Sequence, residues 1–394
     1  MLEIRSALGR GIAAAVIVIG LAACGGSVDI DPSGAGGNVG ASTGGGSAGG
    51  LPAPACAPSE GAIVAATSKG GAQSLLAIHH DGAWTQVDGV LPGAVQVATY
   101  MDDYHHLGAF WIDNATQAHF VTTADGMSFD HFDAHNWVPL AGRPLASAGK
   151  NVLLGYVDGV GDSLAWFDTD AFDWNPWLSP MPLTASSAVV LPSYEMVAVG
   201  IDASSIPVLL CDAISSGDAW GSKHCRDDIA LSTSDELPSP PRVVALSNGD
   251  AVVVYQLAGS STTIGATTLH AGVWSAPQTI QSAAVGGSFA ATATPGDDVV
   301  VGVISHAGDV SALRYAPGAG WSAPIPIDSG AQGWVEIGAA PGICGDDALI
   351  AYPTDVNKVR VARVRGDAVE ARTVGAFIGD DGATSVHIST RSAW

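Results

Sequence analysis

Charge is the scarcest resource of this 394-residue chain: only 13% of its residues are Asp, Glu, Lys or Arg. Bases are rarer still, 15 against 38 acids, for a formal net charge of −23. A phosphate backbone would be repelled by that balance, so nucleic acid is excluded as a partner. So few charges also exclude a long helical or coiled-coil protein, which would be rich in Glu and Lys. Several signatures are absent. There is no HExxH and no paired Cys/His spacing for zinc, no P-loop, and no Gly-x-Ser-x-Gly elbow. No catalytic residue, metal or cofactor is therefore expected. What the chain has in quantity is glycine, 50 residues, within a composition that is 47% hydrophobic. A chain of this length and apolarity has ample material for a core.

The N-terminus reads as an address. Arg5 and Arg10 form a short basic region. The apolar run over residues 11–23 is 13 residues long, too short to span a bilayer comfortably, and suits a signal-peptide core. It ends in Leu21-Ala22-Ala23-Cys24, which resembles the bacterial lipobox: a Leu and two small residues before a Cys that is lipidated and becomes the new N-terminus. That resemblance implies removal of residues 1–23, acylation of Cys24 and a stable membrane anchor. Gly25 stands where an inner-membrane retention signal would favour Asp, and by analogy with enterobacterial sorting the resemblance then implies the outer membrane. Residues 24–55 form the tether. Eleven of the 26 residues from 25 to 50 are Gly, so the segment has little to bury and extends about 30 Å as a flexible coil. Loss of Glu3, Arg5 and Arg10 leaves 37 acids and 13 bases, a net −24.

From residue 56 onward the chain consists of short Val/Ala/Ile runs split by Gly, Asp, Ser and Pro, the pattern of many short strands. A repeat organises them. Trp274-Ser275-Ala276-Pro277, preceded by Ala271-Gly272, is echoed at Trp321-Ser322-Ala323-Pro324, preceded by Ala319-Gly320. Weaker copies centre on Trp84, Phe129, Trp174, Trp220 and Val369, giving intervals of 45, 45, 46, 54, 47 and 48. Each unit supplies four strand-like pieces, for example residues 242–246, 251–257, 267–270 and a fourth starting at the Trp. After the last unit only one strand remains, residues 385–390, while the start of the domain offers three, near 62–67, 74–79 and 84. Together they make one more unit. The fold expected is all-β: a seven-bladed β-propeller of four-stranded antiparallel blades over residues 56–394, its ring closed by the C-terminal strand pairing with N-terminal strands.

With Cys24 used for lipid, four cysteines remain. Cys211 and Cys225 fall on the third and fourth strands of one unit and can face each other across a hairpin. Cys56 and Cys344 each precede a second strand in neighbouring blades, and a bridge between them would pin the closure. Four cysteines allow three pairings, so this assignment rests on geometry.

At the unit heads, Trp invites a sugar-stacking role, but one Trp per blade more often packs blade against blade. Thr123-Ala124-Asp125-Gly126-Met127-Ser128-Phe129 resembles the Asp-box turn of sialidase-type propellers, one residue short. That resemblance implies a structural turn. Sialidases also need an arginine cluster, and four of the nine mature arginines (Arg360, Arg363, Arg365, Arg372) crowd one stretch. Acids recur before second strands at Asp102-Asp103, Glu195, Asp250, Asp297-Asp298 and Asp346-Asp347, either as solubilising turns or as an acidic rim for a cation or basic partner. Function is expected on the opposite face, around the central funnel. The polar and aromatic candidates there are Asp113, Asn114, His135, Trp137, His306, Trp334, Asp355 and Asn357, with the Ser/Asp-rich loop 227–240 overhanging them.

In architecture the chain resembles seven-bladed β-propeller lipoproteins of Gram-negative bacteria. The resemblance implies a monomeric, non-enzymatic binding module that presents the propeller to a glycan or an envelope protein. An envelope assembly scaffold, like the propeller lipoprotein of the outer-membrane barrel-assembly machinery, and a sialidase-like glycan-cleaving enzyme are the alternatives.

Overall fold

A computed structural model describes residues 61–391, less 69–72, 81, 102–105, 116, 134–145, 148–151, 158–160, 169–172, 177–182, 203–206, 217–218, 232–239, 258–262, 281–287, 333–334, 343–346, 355–356 and 379–381. All the described strands belong to one compact unit, Ala53–Trp394. The described residues form no helix; they form seven antiparallel sheets. Sheet 1 holds β1 (Gly61–Ser68), β2 (Ser74–His80) and β3 (Ala83–Val87). Sheet 2 holds β4 (Ala94–Met101), β5 (Leu107–Asp113), β6 (Ala118–Thr123) and β7 (Asp130–Asp133). Sheet 3 holds β8 (Ala146–Ser147), β9 (Val152–Val157), β10 (Gly161–Asp168) and β11 (Asp173–Pro176). Sheet 4 holds β12 (Thr184–Val190), β13 (Met196–Asp202), β14 (Leu209–Ser216), β15 (Ala219–Trp220) and β16 (His224–Ala230). Sheet 5 holds β17 (Arg242–Ala245), β18 (Ala251–Leu257), β19 (Thr263–His270), β20 (Val273–Trp274) and β21 (Gln278–Ile280). Sheet 6 holds β22 (Phe289–Ala293), β23 (Val299–Ile304), β24 (Val310–Ala316), β25 (Gly320–Trp321) and β26 (Ile325–Asp328). Sheet 7 holds β27 (Gly338–Pro341), β28 (Ala348–Pro353), β29 (Lys358–Arg365) and β30 (Ala368–Ala376). The last strand, β31 (Ala383–Arg391), pairs with β1 and completes sheet 1 from the other end of the chain.

The repeated Trp-Ser-Ala-Pro shows how sequence sets local geometry. Ala271 and Gly272 both take positive φ, 48° and 78°, and form the two-residue turn between His270 and Val273. A right-twisted hairpin favours that turn, and Gly meets its second position without strain. The echo closes with three residues between Ala316 and Gly320, which accounts for the shifted Ala-Gly spacing. The expected fourth strand does not run unbroken from the Trp. In sheets 4, 5 and 6 it is split in two. Pro277 and Pro324 bring no N–H to the ladder, and the serine of the motif compensates. Ser275 donates its N–H to Thr268 O at 2.8 Å, and its Oγ accepts the Thr268 N–H at 3.0 Å. Ser322 does the same to Arg314, at 2.8 and 3.2 Å.

The second strands β18, β23 and β28 are buried on both faces, as their unbroken apolar runs require. Among the described residues, cores lie between successive sheets at five junctions, and there the residue heading the fourth strand joins the core against the preceding sheet. Phe129 packs between sheets 1 and 2, Trp274 between 4 and 5, Trp321 between 5 and 6, Val369 between 6 and 7, and Trp84 between 7 and 1. These aromatics are therefore packing groups first. The first strands touch in succession: β4 against β8, β8 against β12, β12 against β17, β17 against β22, β22 against β27, β27 against β31, and β31 against β4.

Cys211 and Cys225 sit directly opposite on β14 and β16 and form a disulfide. Cys24, Cys56 and Cys344 lie outside the described residues. One boundary differs from expectation. Residues 227–230 extend β16 rather than opening a loop. In sheet 7 the first strand starts at Gly338, and Glu336 before it bridges Ser385 of β31.

Candidate functional site

Four of the expected funnel residues are described. Asp113 ends β5 and folds the β5–β6 turn onto itself: its Oδ1 accepts the N–H groups of Ala115 at 2.9 Å and Gln117 at 2.8 Å. Its Oδ2 lies 3.3 Å from His119 Nε2. Partial burial works to raise its pKa, but the Gln117 N–H, His119 and the Ala115 N–H outweigh it and hold the carboxyl low. Asn114 is exposed at the tip of the same turn, and His306 is exposed between β23 and β24. Asn357 takes φ 59° and ties its hairpin to the end of sheet 7, donating Nδ2 to Phe377 O at 3.0 Å and accepting the Phe377 N–H at 2.9 Å. Asp113 and Asn357 thus shape turns. His135, Trp137, Trp334 and Asp355 lie outside the described residues.

The Asp-box stretch is a structural turn: Asp125 Oδ1 accepts the Met127 and Ser128 N–H groups, both at 2.8 Å. Those two bonds, Ser128 first, depress its pKa strongly.

A second set of polar groups recurs where sheets meet. The fifth residue of the second strand is aromatic in several sheets, and Trp111, Tyr255 and Tyr352 are all fully buried. Each reaches toward the chain leaving the preceding sheet. Trp111 donates Nε1 to Pro92 O at 3.2 Å. Tyr352 donates its hydroxyl to Asp328 Oδ2 at 2.8 Å, and Arg360 pairs with the same carboxylate. At the junction of sheets 4 and 5 Arg226 occupies the register position that Asp328 holds in sheet 6, opposite Leu210 rather than Val310. Arg226 binds Asp228 bidentately at 2.6 and 2.7 Å and reaches over to Ser275 O at 3.2 Å. The Tyr255 hydroxyl beside this pair has no hydrogen-bond partner among the described residues, and burial pushes its pKa up.

The third cluster was not singled out in the sequence. Arg242 heads β17 in sheet 5, Glu336 precedes β27 in sheet 7, and His387 lies in β31 of sheet 1. Arg242 Nη2 meets Glu336 Oε1 at 2.7 Å, although β22 of sheet 6 lies between their strands. The side chains keep 15% and 22% of their exposure. His387 lies close enough for both charges to act on its ring; burial lowers its pKa, Arg242 adds to that, and Glu336 opposes it. Burial works to raise the Glu336 pKa, but Arg242 and His387 hold it below the ordinary carboxylate value. The frame is fixed: Val386 N–H donates to Glu336 O at 2.9 Å, Val243 N–H to Ser187 Oγ at 3.2 Å, and Thr99 and Ser389 hydroxyls meet at 2.8 Å. The available signal was a lone ionisable residue in the first strand of three repeats.

The acids before second strands are engaged rather than bare. Asp250 holds His270, Asp298 holds Arg314, and the fully buried Asp347 holds Arg363 and Arg365, each base coming from the third strand of the same sheet. Asp297 reaches across to Ser247 of sheet 5. Asp102, Asp103 and Asp346 lie outside the described residues. Of the eight described arginines, seven pair with a carboxylate of this chain. The eighth, Arg391, donates to the carbonyls of Thr123 and Ala124. The crowded arginines near the C-terminus are thus divided among Asp328 (Arg360), Asp347 (Arg363 and Arg365) and Glu370 (Arg372).

No family model matches the sequence, and no curated protein matches it either. Solved structures do. The BP39L lectin of Burkholderia pseudomallei aligns with a TM-score of 0.56 at 14% identity, over 81% of this chain and 96% of that one. The six-bladed fucose-recognising lectin of Aleuria aurantia aligns at 0.44 and 13% identity, over 81% and 96%. Apo AztD of Citrobacter koseri aligns at 0.47 and 10% identity, over 85% and 99%. Likeness at such identity speaks to fold and not to ligand. The chain has the architecture of a β-propeller, with antiparallel sheets of four strands or of four plus a split segment.

Proposed function

We propose that this chain is a membrane-anchored, non-enzymatic binding module that takes a neutral glycan. On this reading the seven sheets are the blades of one ring, closed where β31 joins β1, one blade more than the Aleuria lectin has. Cys24 carries the lipid, residues 24–55 are the tether, and the protein is a monomer held at the outer membrane. A glycan is taken as the ligand by analogy with the bacterial lectin that shares this fold. The observation that carries the neutral character is the employment of the arginines. Recognition of a carboxylated or phosphorylated ligand uses guanidinium forks, and the described ones already hold carboxylates or carbonyls of the chain itself. With a mature net charge of −24, an anionic ligand would also approach against the field.

A glycan array probed with residues 56–394, run beside a pull-down from envelope membranes, tests this reading. Saturable binding to uncharged glycans is the expected result. Capture of one envelope protein with a silent array would replace the reading with the scaffold, and turnover of sialosides would replace it with the enzyme.

A further inference from the structure

Arg242, Glu336 and His387 come from sheets 5, 7 and 1, and an ion pair that skips sheet 6 has to cross the space enclosed by the first strands. In the ring proposed above, that space is the central opening. Arg242 heads β17 and Glu336 precedes β27, so both lie where chains enter first strands, the face with the funnel loops. We infer that this cluster is a saccharide site, one per chain, at the mouth of the ring; the inference rests on the neutral-glycan reading and gives it a place.

The chemistry fits a polyhydroxyl ligand. Glu336 gives Oε1 to Arg242 at 2.7 Å, and a carboxylate has a second oxygen free to accept a hydroxyl proton. A guanidinium carries five N–H donors in a fixed fork; the Glu336 contact uses one of them, and a hydroxyl oxygen can accept from another. Two adjacent hydroxyls, one donating and one accepting, match a carboxylate beside a guanidinium. The pair is neutral as a unit, so a free anion or cation gains nothing over an uncharged ligand. His387 adds a ring whose protonation state a bound hydroxyl would alter. The residues beside the cluster are tied down, Glu336 O by the Val386 N–H and the Val243 N–H by Ser187 Oγ, so little ordering is needed on binding. It differs from the sheet-junction clusters of Arg226 and Arg360, which would offer several sites.

The test follows the His387 ring by NMR during titration of the natural chain with methyl glycosides of neutral hexoses and 6-deoxyhexoses. It is repeated on Glu336→Gln, His387→Asn and Tyr352→Phe. The expected result is one saturable equivalent, movement of the His387 signal, at least tenfold weaker binding in Glu336→Gln and in His387→Asn, and unchanged binding in Tyr352→Phe. Thermal melts confirm that each variant is folded, and His387→Asn carries the test if Glu336→Gln does not fold. Binding of several equivalents with a still His387 signal overturns the site while leaving the glycan reading intact. Absence of binding by the natural chain overturns both.

Discussion

Arg242 and Glu336 are 94 residues apart in sequence, in sheets separated by a third, and meet at 2.7 Å. The contact is long-range in every sense, and it holds sheets 5 and 7 in fixed relation. It also concentrates charge in a chain that has little of it.

Removing one partner should be costly. Arg242→Met leaves Glu336 uncompensated, and the loss expected is near the low end of the about 3–5 kcal/mol seen for broken buried pairs, because both side chains keep some solvent. The double variant Arg242→Met/Glu336→Leu should recover part of that loss. Urea unfolding of the two variants measures the difference, and equal destabilisation would contradict it.

Acid should weaken the same centre. His387 has a lowered pKa, so the unfolded chain binds its proton more readily. The stability it contributes is complete above the usual histidine value and is lost as pH falls from there through the lower folded value. Glu336 is depressed as well; its contribution is complete above the ordinary carboxylate value and is lost as pH falls through the folded one. Both slopes have the same sign. Denaturation midpoints from pH 8 to pH 4 should fall monotonically, and His387→Asn should flatten the first part of the decline. Rising stability between pH 7 and pH 5.5 would contradict this.

Two of the buried tyrosines, Tyr352 and Tyr255, should respond oppositely to loss of the hydroxyl. Tyr352 donates to Asp328, and hydrogen bonds to charged groups contribute about 1.5–3 kcal/mol, so Tyr352→Phe should destabilise by that order. The Tyr255 hydroxyl is buried without a partner among the described residues, so Tyr255→Phe should be neutral or stabilising. Thermal melts of the pair decide it.

The Cys211–Cys225 bridge closes a loop of 14 residues in sequence separation and should contribute about 3 kcal/mol by restricting the unfolded chain. Mild reduction should lower the unfolding midpoint, and a non-reduced peptide map should show the two cysteines linked.

Much of the fold was legible because it is repetitive. The Trp-Ser-Ala-Pro copies, the apolar second strands and the orphan C-terminal strand become, respectively, a turn, a doubly buried strand and the partner of β1. The split fourth strand was not legible as such. Pro277 advertised a missing donor, but the Ser275 hydroxyl that fills the gap is a three-dimensional fact. The site was harder to read. Polar loop residues such as Asp113 and Asn357 look functional in sequence and turn out to fasten their own hairpins. Arg242, Glu336 and His387 look like stray charges in apolar strands, and only the arrangement of the sheets brings them together. The acidic turns misled in the same way: their arginine and histidine partners lie some 16 to 20 residues further along.

The account turns on a neutral ligand, and the most direct measurement compares one glycan with its sialylated form on the same immobilised surface. The account predicts saturable binding of the folded domain to the uncharged glycan, with no gain when sialic acid is added. Binding confined to the sialylated form would contradict it.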